Sequence, residues 1–178
     1  KEELKCPAIV FAPHQDDESL GCGGIITHKC NLSVPVTIIF MTDGSQSNGN
    51  PEHNFMPAET LAQIRRKEAM DACHNLGVAE DDVYFLEYKD GSLKENENIA
   101  VDDLSVILKD YRGPLEVFVP YKRDVHPDHL ATNRIAKKYL KSVAVPAYIN
   151  EYPTWFWHRW PFISVSLRKN GKSFKAIS

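Results

Sequence analysis

Apolar residues in this chain fall in short unbroken runs, set between longer stretches with helical spacing. Ala8-Ile9-Val10-Phe11-Ala12, Val36 to Met41, Val83-Tyr84-Phe85-Leu86 and Leu115 to Val119 are nearly continuous apolar runs, the pattern of strands buried on both faces. Val145 to Asn150 reads as a fifth strand. A small-residue segment after Glu18 leads into a helix through about Lys29. Ala58 to Leu76 carries apolar positions at helical spacing, with Gly77 as its stop. Further helices are predicted over Val101 to Tyr111 and from about His129 to Leu140. Strands alternating with helices imply βαβ units, right-handed crossovers and a mostly parallel sheet flanked by helices. Near the end, Phe162 to Arg168 and Lys172 to Ile177 flank Asn170-Gly171, a signal that predicts a C-terminal antiparallel hairpin added to the sheet. Residues 1–178 read as one α/β domain. The polar stretch from Ser45 to Met56 reads as a loop long enough to be functional.

Composition narrows the partners. The 178 residues are 43% apolar and 25% charged, ordinary for one globular domain. The formal net charge of −3 and scattered Lys and Arg argue against nucleic acid and favour a small, non-polyanionic partner. No stretch approaches the ~18 apolar residues of a membrane span, and Lys1-Glu2-Glu3-Leu4 has no apolar signal-peptide region. Cys6, Cys22, Cys30 and Cys73 form no CxxC pair. They read as free thiols, with a cytoplasmic compartment as the expectation.

Chemistry-bearing residues crowd two strand ends: His14, Asp16 and Asp17 after the first run, and His126, Asp128 and His129 after the fourth. Open parallel sheets bind ligands outside the carboxyl ends of their strands, where strand order reverses, so the two clusters can meet in one crevice. Zinc favours imidazole and carboxylate donors and keeps one position for water. His14 and Asp17 can supply two donors and His129 a third, leaving Asp16 and His126 for proton chemistry. Each cluster alone has a plainer reading as a helix N-terminus, acidic in one case and Pro-led in the other.

Pro13-His14-Gln15-Asp16-Asp17-Glu18 together with His126-Pro127-Asp128-His129 resembles the paired motifs of the PIG-L/LmbE-like deacetylases. Leu20-Gly21-Cys22-Gly23-Gly24, Thr42-Asp43-Gly44 and Ile64-Arg65-Arg66-Lys67-Glu68 agree with it. Gln15 departs from the proline usual there. The resemblance implies a Rossmann-like fold and zinc-dependent removal of an N-acetyl group from an N-acetylglucosamine-type sugar or conjugate. It implies His14, Asp17 and His129 as metal ligands and Asp16 as general base. His126 would stabilise the oxyanion with help from Asp128, and Glu18 would cap or support. Fe2+ or another divalent ion fits the same donors.

Arg65 sits where the family places a substrate-reaching arginine, and equally reads as part of a solvated helix face. Asp43 reads either as a sugar-hydroxyl contact or as a turn aspartate. Gly21-Cys22-Gly23-Gly24 lacks phosphate-loop spacing and is read as close helix–sheet packing. The aromatic segment from Tyr152 to Trp160 reads as packing, with sugar stacking, a lipid-facing rim or a homo-oligomer contact as further readings. Two rival functions use the same residues: a non-haem iron oxygenase with two histidines and a carboxylate, and a sugar-binding relative without activity.

Overall fold

The structure is a computed structural model and describes residues 5–46, 56–111, 113–143, 146–154, 165–169 and 172–176. Each apolar run becomes a strand: β1 (Ala8–Ala12), β2 (Val36–Thr42), β3 (Val83–Tyr88), β4 (Leu115–Pro120) and β5 (Ala147–Tyr152). They form a five-stranded, wholly parallel sheet in the order β3-β2-β1-β4-β5. The chain winds outward from β1 to β3, returns to the other side of β1 as β4, and continues to β5. Strand order therefore reverses between β1 and β4, and parallel neighbours leave their carboxyl ends side by side.

Alternation along the buried strands divides the core in two. Ile9 and Phe11 of β1, Ile39 and Met41 of β2, and Leu115, Val117 and Val119 of β4 share one cluster. In it they pack with Ala100, Val101 and Leu104 of α3 (Glu97–Ile107) and Ala131, Ile135 and Ala136 of α4 (Pro127–Ser142). Val10, Ile38, Phe40 and Phe118 point the other way, toward Cys22 and Ile26 of α1 (Asp17–Asn31) and Ala69 and Cys73 of α2 (Ala58–Leu76). A strand covered on both faces can use apolar residues at every position, which is why these strands read as unbroken runs. α2 ends as predicted: Gly77 adopts the left-handed conformation at φ 90°, and Val78 N–H closes on Cys73 O at 3.0 Å.

Two expectations are corrected. α3 spans Glu97–Ile107 rather than Val101–Tyr111, because it opens on the polar pair Glu97-Asn98 and an exposed Ile99, which suits an acidic helix N-terminus but breaks the apolar periodicity. The five-stranded sheet also gains no antiparallel strand. β6 (Val165–Lys169) and β7 (Lys172–Ala176) pair with each other in an antiparallel two-stranded sheet of their own. Asn170-Gly171 and most of the aromatic segment, 155–160, lie outside the described residues. Among the described residues none of the four cysteines forms a disulfide, and Cys22 and Cys73 are buried. No helix there is long and apolar enough to cross a membrane.

Candidate metal centre

The loops leaving β1 and β4 bring the two predicted clusters together. α1 begins at Asp17, and Asp16 before it makes no side-chain cap. α4 begins at Pro127, where the His126 ring does cap the helix: Asp128 N–H donates to His126 Nδ1 at 3.3 Å. The imidazoles of His14, His126 and His129 face one another with centroids 4.7, 5.4 and 5.2 Å apart. One donor atom from each lies within 4.8 Å of the others, and so does one from each of His14, Asp90 and Asp128.

Asp17 sits at the centre. Its Oδ2 is 3.3 Å from His14 Nδ1 and 3.2 Å from His129 Nε2, and the carboxylate is fully buried. His129 is also buried, yet its Nε2 makes no well-directed hydrogen bond. A buried ring nitrogen left without a partner is costly. Here it shares one small space with a carboxylate oxygen and a second imidazole nitrogen. That combination fits a divalent ion of the zinc type, which takes one nitrogen or oxygen from each of three residues.

The opposite ring nitrogens are also engaged. His14 Nε2 is 3.3 Å from both Asp128 Oδ2 and Asp90 Oδ1, and His129 Nδ1 is 3.2 Å from Asp124 Oδ2. Asp128 is thus turned toward His14, where its two oxygens also accept the N–H groups of Gly91 (2.7 Å) and Leu93 (3.2 Å). Asp90 and Asp124 were not singled out in the sequence, since Asp90-Gly91 reads as a turn and Asp124 lies in a polar loop. The signal was positional: both follow the carboxyl end of a strand, as His14 and His126 do.

Asp16 differs from its neighbour. Its side chain is 53% exposed and pairs with Arg65 at 3.1 Å, and Arg65 also donates to the Gln15 carbonyl and to Glu68. Arg65 therefore faces the site rather than solvent alone. Asp43 Oδ1 accepts the N–H groups of Ser45 and Asp90, each at 3.0 Å, and so holds the loop that carries Asp90. Gln15 is buried and donates to Thr42 O at 2.7 Å, linking the loops after β1 and β2. Gly21 lies directly against the Tyr152 ring, where a β-carbon would overlap it. Close packing is the role read for this glycine run, and Tyr152 hydroxyl in turn donates to Phe11 O at 2.7 Å. A cavity of about 520 Å³ opens beside Gln15 and Asp43, between α2 and the ends of β2 and β3.

Electrostatics follow the geometry. Burial disfavours a charged His14, but Asp128, Asp17 and Asp90 outweigh it and hold its pKa well above the ordinary imidazole range. Burial likewise opposes charge on His129, while Asp124 and Asp17 raise it to about 9. Asp17 is pushed up by burial and pulled further down by the two histidines, so it stays ionised. Burial and the Asp17 charge raise Asp16, with Arg65 opposing. Burial and the neighbouring His14 and His129 lower His126. Glu18, buried, is raised to about 7.

A switch-point crevice walled by imidazoles and carboxylates defines the class: an α/β protein with the donor set of a metal-dependent enzyme. Residues 9–140 match the model of the PIG-L family, GlcNAc-PI de-N-acetylase, and the chain belongs to that family. It is 33% identical over 128 residues to a probable N-acetyl-α-D-glucosaminyl L-malate deacetylase 2 of Bacillus cereus, covering 71% of this chain and 57% of that protein. The Bacillus subtilis protein of the same name is 31% identical over 127 residues, with the same coverage. Among solved structures, an N,N'-diacetylchitobiose deacetylase from Pyrococcus horikoshii superposes with a TM-score of 0.66 at 26% identity, covering 82% of this chain and 60% of that one. The chain thus spans less than two thirds of the length of these relatives.

Proposed function

We propose that this chain carries the catalytic centre of a zinc-dependent N-deacetylase acting on an N-acetylglucosamine-type sugar or its conjugate. The observation that carries the reading is Asp17 Oδ2 lying 3.3 Å from His14 Nδ1 and 3.2 Å from His129 Nε2, with the Asp16 carboxylate beside it paired to Arg65 and outside that donor set. Those three residues would hold the ion. When bound, it supplies a water of lowered pKa and polarises the amide carbonyl. Asp16, reachable from solvent, takes the water proton on its carboxylate and later returns it to the leaving amine, so acetate and a free amino sugar result. A carboxyl raised above its usual value is better suited to that return. Arg65 holds the Asp16 carboxylate in place. His126 faces the same crevice and donates a ring N–H to the oxygen that gains charge, a contact worth about 3 kcal/mol in comparable sites. Family membership and the names of the relatives support the acetylated amino sugar, and the adjoining cavity has room for a small molecule.

Asp16, held by Arg65 outside the three proposed ligands, favours hydrolysis over oxygen activation by iron, since an oxygenase needs only the three ligands and open positions. Release of amine from a panel of N-acetylated amino sugars, with and without chelator, tests the proposal. Chelator-sensitive release on at least one member is expected. No release on any, with oxygen consumed in the presence of Fe2+, would replace hydrolase with oxygenase.

A further inference from the structure

We infer that Asp124 is the positioning residue of this centre, holding His129 so that Nε2 faces the ion and tying the His126 backbone to the same carboxylate. The inference rests on the ligand role given to His129 above. Asp124 lies in the turn between β4 and α4, with its own N–H on Tyr121 O at 2.9 Å and its side chain 1% exposed. Its two oxygens do different work. Oδ2 is 3.2 Å from His129 Nδ1, while Oδ1 accepts the His126 N–H at 3.0 Å.

A neutral imidazole has one proton and one free lone pair. A carboxylate can only accept, so its contact with Nδ1 requires the proton there and leaves the lone pair on Nε2. Nε2 is the buried nitrogen without a partner, 3.2 Å from Asp17 Oδ2. Ring orientation and tautomer are thus set from the side away from the ion, as carboxylate–histidine pairs do at zinc sites. His14 has two carboxylates, Asp90 and Asp128, against its Nε2, whereas the contacts of the His129 ring nitrogen opposite the site run to Asp124 alone among the described residues. Loss of Asp124 should therefore be felt more sharply than loss of Asp90.

The test uses the full chain stripped of metal and measures zinc affinity by competition with a chromophoric chelator. Asp124→Ala should weaken zinc about 10–100-fold, the usual effect of removing such a partner. Asp124→Asn should fall between Ala and wild type, because its amide oxygen can accept from one of the two N–H groups and not both. Nitrogen NMR of the metal-free protein, recorded above pH 9 where the ring is neutral, adds a readout that general destabilisation does not move: His129 protonated at Nδ1 in wild type, with the preference lost in Asp124→Ala. If Asp124→Ala does not fold, Asp124→Asn carries both measurements. Zinc affinity within twofold of wild type in a folded variant, with the Nδ1 proton retained, overturns the inference. If wild type itself binds no zinc, the His14–Asp17–His129 reading fails and this inference falls with it.

Discussion

Asp16 and Asp17 are adjacent in the chain and opposite in situation. Asp17 is sealed between two imidazoles, while Asp16 stands half in solvent against Arg65. Asp16→Asn should keep a full equivalent of zinc and lose about 10²–10⁴-fold in kcat. His129→Ala should lose the metal itself, so metal analysis beside a rate assay separates the two roles. A second expectation concerns pH. Below about 9 the His129 ring is protonated in the metal-free chain, so an ion must displace that proton. Zinc affinity should therefore climb with pH toward about 9, and calorimetry in buffers of different ionisation enthalpy should detect proton release. The sign for the metal-free fold is the reverse. A ring whose pKa is raised above its unfolded value of ~6.5 stabilises fully below that value, and the contribution fades as pH climbs through about 9. The motif residues were legible because they stand in two dense clusters. Asp90 and Asp124 were not, since a lone aspartate in a loop looks the same whether it ends a turn or orients a histidine.

Between elements, the contact of Gly21 in α1 with the Tyr152 ring at the end of β5 sets how closely that helix approaches the sheet beneath the site. Gly21→Ala places a methyl group into the ring and should cost about 1–3 kcal/mol, lowering the melting temperature by roughly 2–4 °C per kcal/mol. In a Tyr152→Ala background the same change should cost far less, and equal costs in both backgrounds would show that the ring is not the obstacle. Strands were easy to read because burial on both faces allows runs such as Val36 to Met41. The start of α3 was not, because Glu97, paired with Arg134, and the exposed Asn98 carry no apolar period. The hairpin signal at Asn170-Gly171 concerned local pairing. It held no information on whether that pair would join the main sheet.

At the scale of the whole molecule, the ion proposed here would bridge two halves of the chain, since His14 and Asp17 follow β1 and His129 follows β4. Zinc at about a hundred times its Kd should add ~2.7 kcal/mol to stability, so chelator should lower the melting point by roughly 5–10 °C. A shift absent in wild type would argue against a bound ion. The parallel order β3-β2-β1-β4-β5 also has a consequence for how such a chain is born. A nascent chain that has emerged only through β3 carries His14 and Asp17 but no second imidazole beside them. It cannot yet chelate, and it gains that ability only when β4 slots in next to β1 and α4 closes over it. Capture of the proposed ion would then follow the docking of β4 and α4, with β5 alone of the five strands still to be added.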